Sequence, residues 1–362
     1  MDLLLVGAGH AHLHLIDQAP RLRAAGWRLR LLSPATFHYS GVASAVAAGA
    51  LPPDAGRVDV RGLAARRGVP HTLGRLTGLD VGSREALTDA GDLLRYDVIS
   101  LNVGSESASP GVAPGHDDAG LLRVKPLADL DALQGRIRRA AQGPGGATVT
   151  VVGAGSSGVE LAAHLATRTD VARVQLLEAG EQVVPGLPGG ARRHLRRLLD
   201  HRGVDVRTGA SVVELTGSVA VTADGTTLRH DVVLLAAGLR APAVVADAGL
   251  GDTDGVPVRA TLQHRDLDEV YAVGDCAHFL PRPLPRVGVH GVRQGPVLLS
   301  SLLARAAGEP LPTYTPQRRW LAVLDLGGGR GLATRGGWWW SGRSAWWLKR
   351  WIDRRWIATY QG

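Results

Sequence analysis

The sequence has 362 residues, 45% of them hydrophobic and 20% charged, which is typical of a folded protein large enough for more than one domain. The net charge of +8 is explained by solubility or by attraction to an anionic surface. No nucleic-acid recognition module accompanies this charge, so we expect no nucleic acid partner. The single cysteine, Cys276, excludes a disulfide within the chain and a Cys-x-x-Cys redox pair, so electron transfer would need a bound cofactor.

The N-terminus lacks the pattern of a secretory signal, because Asp2 leads directly into an apolar segment. No uninterrupted apolar run reaches the roughly 18 residues that a transmembrane helix needs. We therefore expect a cytoplasmic protein that is soluble or lies peripherally on the inner face of the cell membrane.

A glycine-rich turn, Gly7-Ala-Gly9-His10-Ala-His12, lies between an apolar segment and a helical pattern at the start of the chain. This order is typical of a unit that binds the pyrophosphate of a dinucleotide. His12 replaces the third glycine of the usual motif. Ser33, at the end of the next predicted strand, replaces the acidic residue that usually binds ribose, and it would bind more weakly.

Alternating histidines in this turn also suggest a metal site, since His10 and His14 would share one face of a helix. No acidic residue or cysteine is close to them in sequence, and the turn needs the same residues, so we predict no metal. Tyr39, in the loop after the second strand, is a candidate for the wall of a cofactor pocket, and ordinary loop packing explains it equally well.

A second turn, Gly153-Ala-Gly155-Ser-Ser-Gly158, lies between a β-prone segment and a helical pattern. Its first glycine allows a tight turn, its second allows the backbone to approach a pyrophosphate, and its third lets the helix pack on the strand. Glu178 follows Gly158 by 20 residues, at the end of the next apolar strand, where a carboxylate binds a ribose 2′-hydroxyl. A 2′-phosphate would be repelled there, which favours NADH over NADPH.

Each unit closes with an apolar strand that begins at an aspartate and ends in a glycine, Gly104 in the first and Gly238 in the second. The duplication covers about residues 1–104 and about residues 148–238. It predicts an α/β protein with two Rossmann-like dinucleotide-binding domains and a small Trp-rich C-terminal segment.

A further segment, Tyr271-Ala-Val-Gly274-Asp275-Cys-Ala, follows the second unit, and Asp275 is placed to accept hydrogen bonds from a polyol. With the two units, it resembles the two-dinucleotide-binding-domain flavoproteins of the pyridine nucleotide–disulfide oxidoreductase superfamily, over residues 1 to about 300. The resemblance implies that the first domain binds FAD and that the second, inserted in the first, binds NAD(P)H. The predicted boundaries are 1–115 with 240–305 for the FAD domain, 116–239 for the NAD(P)H domain and 306–362 for the C-terminal segment.

The resemblance also assigns site residues. Those for FAD are Gly7, Gly9, His10, His12, Ser33, Tyr39, Gly104, Gly274 and Asp275. Those for NADH are Gly153, Gly155, Gly158, Glu178 and Gly238. Glu160 is the candidate for orienting nicotinamide or assisting proton movement, with contact to ribose or backbone as its alternative. Lys125 and Gln294 are candidates for lining the pocket.

Within the superfamily, the absence of a cysteine pair excludes a disulfide-reductase mechanism. The segments around Lys125, Glu160 and Gln294 resemble those of the type II NADH:quinone dehydrogenases, which implies hydride transfer from NADH to FAD and onward transfer to a quinone-like acceptor. Gly9-His10 and Ser33-Pro34 are closer still to a flavoprotein group often fused or adjacent to selenophosphate synthetase. The alternatives are therefore a soluble or selenium-metabolism partner as acceptor, or a flavin-binding regulatory or docking protein with little turnover.

Eight of the nine tryptophans lie after residue 319, interleaved with basic residues. Trp347, Trp351 and Trp356 are predicted to share one stripe of a helix. So much aromatic surface must be covered by the nucleotide domains, by a second subunit in a homodimer, or by a membrane interface, where tryptophan and cationic residues are favoured. The resemblance to type II enzymes, which dock by a C-terminal amphipathic segment, supports the membrane.

Overall fold

The computed structural model describes residues 1–108, 121–143 and 145–361. The elements of the first part are β1 (Asp2–Val6), α1 (His10–Asp17), α2 (Ala19–Ala24), β2 (Arg28–Ser33), β3 (Thr36–His38), α3 (Ala43–Ala47), β4 (Arg57–Asp59), α4 (Val60–Arg66), β5 (His71–Leu73), β6 (Leu76–Asp80), β7 (Glu85–Thr88), β8 (Leu93–Arg95), β9 (Val98–Leu101) and β10 (Glu106–Ser107). A 3₁₀ turn at Ser40–Val42 precedes α3.

The middle part of the chain carries the second unit. Its elements are β11 (Leu121–Arg123), α5 (Leu133–Ala140), β12 (Ala147–Val152), α6 (Ser156–Leu165), β13 (Val171–Leu177), α7 (Gly189–His201), β14 (Val204–Arg207), β15 (Val212–Leu215), β16 (Val219–Thr222), β17 (Thr227–Arg229) and β18 (Val232–Leu235). A 3₁₀ helix at Leu127–Ala132 joins β11 to α5.

The remaining elements follow the second unit. They are β19 (Leu239–Arg240), α8 (Ala243–Asp247), β20 (Val256–Val258), β21 (Val270–Ala272), β22 (Ala277–Phe279), α9 (Gly288–Ala307), β23 (Leu321–Asp325), β24 (Gly331–Arg335), β25 (Trp338–Gly342) and α10 (Arg343–Gln361). A 3₁₀ turn at Gly274–Cys276 lies between β21 and β22.

Two parallel sheets organise the fold, one in each nucleotide unit. The first has the strand order β21-β9-β1-β2-β5, so its edge strand β21 comes from beyond the second unit. The second has the order β11-β18-β12-β13-β14. Both are built from near-continuous runs of buried leucine and valine, as expected for sheets covered on both faces. The predicted fold class is confirmed, whereas the predicted boundary at residues 115 and 116 lies outside the described residues.

Smaller antiparallel sheets repeat in the two units. The strand order is β6-β7-β8 in the first unit and β15-β16-β17 in the second, so each meander lies between the glycine turn and the closing strand of its unit. The two-stranded sheet β10-β19 connects the end of one unit with the end of the other. This repetition matches the duplication seen in the sequence.

The C-terminal tail, residues 321–361, consists of the antiparallel sheet β23-β24-β25 followed by α10. The prediction of one tryptophan stripe on this helix was wrong. Trp347 and Trp351 are 56% and 58% exposed, while Trp356 packs inward. Because a helix turns 100° per residue, Trp356 lies about 140° around the axis from Trp351. The inner face instead carries Lys349 and Asp353, 8% and 4% exposed.

Among the described residues, no helix is both long and apolar enough to cross a membrane.

Candidate functional site

The first glycine turn connects β1 to α1 and lies against the end of β9. Gly7 has a φ of +82°, and a Cβ there would be 2.5 Å from the carbonyl oxygen of Asn102. A Cβ on Gly9, which precedes the first residue of α1, would be 2.5 Å from the side-chain oxygen of the same asparagine. Both glycines are thus required because Asn102 packs directly against the turn.

Asn102 is a site residue that the sequence analysis missed. Its Oδ1 accepts hydrogen bonds from the backbone N–H groups of Ala11 (3.1 Å) and His12 (3.3 Å) in the first turn of α1. Its Nδ2 donates to the carbonyl of Val273 at 2.8 Å, immediately before Gly274. One buried side chain therefore sets the position of the β1–α1 turn relative to the Gly274-Asp275 segment. The signal was available, because Asn102 is the only asparagine in the sequence.

His12 and Ser33 lie beneath the first turn. His12 is fully buried, with Nδ1 2.6 Å from the carbonyl oxygen of Gly7 and Nε2 2.8 Å from the hydroxyl of Ser100. Burial lowers the pKa of His12 to about 4, so its ring is neutral. Ser33 is 1% exposed, and its hydroxyl is 3.0 Å from Nε2 of His71. His12 therefore holds the shape of the turn from inside, whereas the Ser33 hydroxyl is tied to His71 of the neighbouring strand β5.

The Gly274-Asp275 segment gathers three of the predicted residues. The Asp275 carboxylate accepts from Lys125 Nζ at 3.2 Å and from the Ser105 hydroxyl at 3.0 Å. Burial raises the Asp275 pKa, but Lys125 and Ser105 lower it by more, so the carboxyl is ionised. Gln294 of α9 accepts from the Gly274 N–H at 2.6 Å. Because Lys125 follows β11 of the second sheet, its contact with Asp275 connects the two domains.

An aromatic wall stands beside this group, formed by His10, Phe37, Tyr39 and Trp356. The His10 ring centroid is 5.1 Å from that of Phe37 and 4.9 Å from that of Trp356. Tyr39 and Trp356 are stacked, with centroids 4.4 Å apart. Burial, and secondarily the charge of Lys125, lowers the pKa of His10 to about 4. The wall is therefore apolar and uncharged, and one of its members comes from the C-terminal tail.

Alternate histidines do not converge on a metal, because His12 points into the core while His10 joins the aromatic wall. Within residues 1–108, 121–143 and 145–361, no group of three potential metal ligands is present.

The second glycine turn has the geometry of a phosphate-binding loop. Gly153 has a φ of +103°, and a Cβ on Gly158 would be only 1.9 Å from the Gly153 carbonyl oxygen. A Cβ on Gly155 would have no neighbour within 4 Å, so this glycine faces open space at the N-terminus of α6. Glu178, at the end of β13, accepts from the N–H of Ala154 at 2.7 Å. The turn, the helix end and the acid are therefore adjacent, as a dinucleotide requires.

Two predicted glycines close the units. Gly104 and Gly238 have φ values of +78° and +27°, and they follow β9 and β18 respectively. Gly104 has open space where a Cβ would lie, whereas Gly238 is near Ala108.

Glu160, on α6, faces the C-terminal tail. Its carboxylate accepts from the backbone N–H of Asp325 at 2.7 Å and from the Ser44 hydroxyl at 3.4 Å. Burial raises the pKa of Glu160 to about 7, although Lys349 and His164 oppose this shift. Near neutral pH this carboxyl can therefore hold or release a proton.

These arrangements define a two-domain dinucleotide-binding protein, in which a glycine turn precedes a helix N-terminus in each domain and Asp275 offers an ionised acceptor to a polyol. The chain belongs to the pyridine nucleotide-disulphide oxidoreductase family, whose sequence pattern it matches over residues 1–295. Members of this family are NAD(P)H-dependent oxidoreductases that use FAD.

The chain is similar to the ferredoxin–NAD(+) reductase component of the biphenyl dioxygenase system of Paraburkholderia xenovorans, at 31% identity over 289 residues, 76% of this chain and 67% of that protein. It is also similar to the NADH dehydrogenase-like protein YutJ of Bacillus subtilis, at 25% identity over 69% of each chain. The structure of NDH2 from Plasmodium falciparum in complex with NADH shares the fold, with a TM-score of 0.82 and 12% identity over 99% of this chain and 96% of that chain. The chain spans from 61% to 69% of the length of these and similar curated relatives.

Replacing Asn102 with alanine should weaken FAD binding at least tenfold. The variant leaves two amides of α1 and the Val273 carbonyl unpaired, at a cost of roughly 1–3 kcal/mol for each buried group. Titration of the apoprotein with FAD measures the affinity. Gln263→Ala is the matched control, since Gln263 is also a buried amide and donates to the Asp268 carbonyl at 2.8 Å, away from the turn. Unchanged FAD affinity in Asn102→Ala would contradict the role given to this residue.

Replacing Glu160 with glutamine should flatten the dependence of stability on pH. Because the folded-state pKa of about 7 is above the usual 4.5, the contribution of Glu160 is complete below pH 4.5 and is lost as pH rises through 7. The wild-type Tm should therefore fall more between pH 5 and pH 8 than the Tm of Glu160→Gln. Equal falls in the two proteins would show that this carboxyl titrates normally.

Proposed function

We propose that this protein is an FAD-dependent oxidoreductase that takes hydride from NADH and passes electrons to a quinone-like acceptor. The observation that carries the proposal is the contact between Lys125 and Asp275, which joins a domain with one glycine turn to a domain with another. A hydride can pass between two cofactors only if their reacting rings meet, and this contact joins the two domains at the Gly274-Asp275 segment.

The chemistry that bound FAD supplies is acceptance of a hydride from NADH and release of two electrons to an acceptor. The chain supplies the binding groups. Gly7 and Gly9 let the turn pack closely on Asn102 at the N-terminus of α1, whose partial positive charge favours the pyrophosphate. Asp275 accepts hydrogen bonds from the ribityl hydroxyls, and Lys125 keeps it ionised. Glu160, with its pKa near neutrality, holds or moves a proton at the interface of the domains.

NADH is the preferred reductant because of Glu178. Its two carboxylate oxygens accept from the N–H groups of Ala154 (2.7 Å) and Gly180 (2.9 Å), which fixes the acid beside Gly155. A ribose 2′-hydroxyl can donate to this carboxylate, whereas a 2′-phosphate would place a second negative charge against it.

The electron acceptor that we propose is a quinone. Of the similar proteins, one is named as a ferredoxin–NAD(+) reductase component and another as an NADH dehydrogenase-like protein. A quinone is favoured because the tail exposes an aromatic and basic face suited to a membrane, where quinones reside. The alternatives are a soluble acceptor, including one in selenium metabolism as the selenophosphate synthetase-associated group would imply, and a regulatory flavoprotein with little turnover.

The outer face of α10 supports peripheral membrane association. Trp347 and Trp351 are exposed, and Arg354 and Arg355 lie on the same side. The Arg355 guanidinium is 5.7 Å from the centroid of the Trp351 ring. Tryptophan and arginine together suit the boundary between lipid headgroups and acyl chains. We therefore propose docking on the inner face of the cell membrane, with a homodimer as the alternative cover for this face.

When NADH is mixed with the FAD-loaded protein in a stopped-flow instrument, the flavin absorbance should be bleached within seconds. A quinone such as menadione should then restore the absorbance. NADPH should bleach it at least tenfold more slowly in the wild type, and Glu178→Ala should narrow that difference because the repelling charge is gone. A flavin that neither nucleotide bleaches would contradict the proposed function and support the regulatory alternative.

Replacing Trp347 and Trp351 together with serine should abolish co-sedimentation with vesicles of phosphatidylglycerol and phosphatidylethanolamine. Two exposed rings supply most of the apolar area that this face offers to lipid. Val213→Ser is the control, since Val213 is 55% exposed on the meander of the second domain. Wild-type protein that stays in the supernatant would contradict membrane docking. Point substitutions are needed because truncation near Pro310 would also remove Asp325 and Asp353 from the interior.

A further inference from the structure

The sheet of the C-terminal tail is fastened to the second nucleotide domain. The backbone N–H of Asp325 donates to Glu160 of α6 at 2.7 Å, and the Asp325 carboxylate is 3.3 Å from Nε2 of His164 on the same helix. Arg202, at the end of α7, donates to the carbonyls of Leu326 and, at 3.1 Å, of Gly327. The β23–β24 turn is thereby held on the surface formed by α6 and α7.

The helix of the tail is fastened to the first domain instead. The Tyr39 hydroxyl donates to Asp353 at 3.0 Å, and Lys349 pairs with the other oxygen of Asp353 at 3.0 Å. Lys349 also donates to the Gly41 carbonyl, and Trp356 stacks on Tyr39 in the aromatic wall. Burial of two charges is costly unless each finds its partners, and here each has more than one.

The two lysines of the chain also indicate that the tail belongs to the site region. The chain has 41 basic residues, and only two of them, Lys125 and Lys349, are lysines. Both are largely buried and both pair with an aspartate at the first nucleotide site, Lys125 with Asp275 and Lys349 with Asp353. The Lys349 ammonium fits between the Asp353 carboxylate and the Gly41 carbonyl, where the planar guanidinium of arginine would need more room. The tail is therefore part of the site region and not an appendage to it.

We propose that the C-terminal tail sets the spacing between the two nucleotide sites, with Asp353 and Arg202 as positioning residues at its two ends. This inference rests on the proposed function, since spacing matters only if hydride passes between the sites. Domains within a chain move relative to one another unless a substantial interface holds them. A misplacement of about 1 Å costs on the order of 100-fold in rate when two reacting groups must be aligned. A tail that is hydrogen-bonded to both domains restricts their motion relative to one another.

Two single substitutions release one end of the tail each. Arg202→Met removes the donor to the β23–β24 turn and leaves the first domain untouched. Asp353→Asn keeps an acceptor for Tyr39 but leaves the Lys349 ammonium without its charge partner. The matched control is Arg196→Met. Arg196 lies on α7, the helix that ends just before Arg202, and it donates to the Asp200 carboxylate and the Val206 carbonyl, neither of which belongs to the tail.

Hydrogen exchange of the backbone amides and stopped-flow bleaching of the FAD-loaded protein by saturating NADH are measured on all four proteins. We expect faster exchange in β23 and α10, and bleaching slowed between about 10- and 100-fold, in Arg202→Met and in Asp353→Asn. Arg202→Met should keep the wild-type flavin spectrum and FAD affinity, whereas Asp353→Asn should shift the spectrum, because it disturbs the aromatic wall. Arg196→Met should match the wild type in every measurement.

Two results would overturn the inference. Faster exchange with bleaching within twofold of the wild type would make the tail a structural element without influence on spacing. Unchanged exchange in both variants would show that these residues do not hold the tail. A wild-type flavin that NADH cannot bleach is a different outcome, since it ends the proposed function while the exchange data still report whether the anchors exist.

Discussion

The contact between Lys125 and Asp275 is the interaction on which the arrangement of this molecule depends. Lys125 follows β11 of the second sheet and Asp275 follows β21 of the first, so their ion pair at 3.2 Å joins the two domains. The pair is mostly buried, and the Ser105 hydroxyl also donates to Asp275. An ionised carboxylate is therefore maintained at the carboxyl ends of the first sheet, where nucleotide ligands bind in open α/β folds.

Each glycine turn depends on a polar side chain packed against it, and the two turns use different ones. In the second turn, Glu178 accepts a backbone hydrogen bond from Ala154. In the first, Asn102 packs against Gly7 and Gly9, and His12 donates from Nδ1 to the Gly7 carbonyl beneath the turn. The departures of the first motif from the usual pattern are thus compensated within the same turn, where a neutral buried histidine occupies the space that the third glycine would leave.

Local patterns allowed the sequence to predict the sheets, both turns and Asp275, because each is marked by a strand, a glycine or a fixed spacing along the chain. Lys125 and Gln294 became candidates through the family resemblance, and the structure brings both to the Gly274-Asp275 segment. Asn102 was missed because a single polar residue at the end of a strand produces no period. The hydrogen bond between Tyr39 and Asp353 joins residues 314 positions apart, so no local sequence pattern predicts it. The single tryptophan stripe predicted for α10 was wrong because Trp356 packs inward while Trp347 and Trp351 face outward, and a lysine and an aspartate that are hydrogen-bonded to each other occupy the inner side.

The unusual facing of α10 has a consequence for how far an acceptor must travel. One side of the helix contributes Trp356 to the wall beside His10, and the opposite side exposes Trp347 and Trp351. A helix with its side chains is about 10 Å in diameter. If lipid covers the outer tryptophans, the aromatic wall lies about one helix diameter away from the bilayer surface, on the protein side of α10. A lipophilic acceptor would then have to move about that distance out of the lipid to reach the wall, and the distance is fixed by the girth of a single helix.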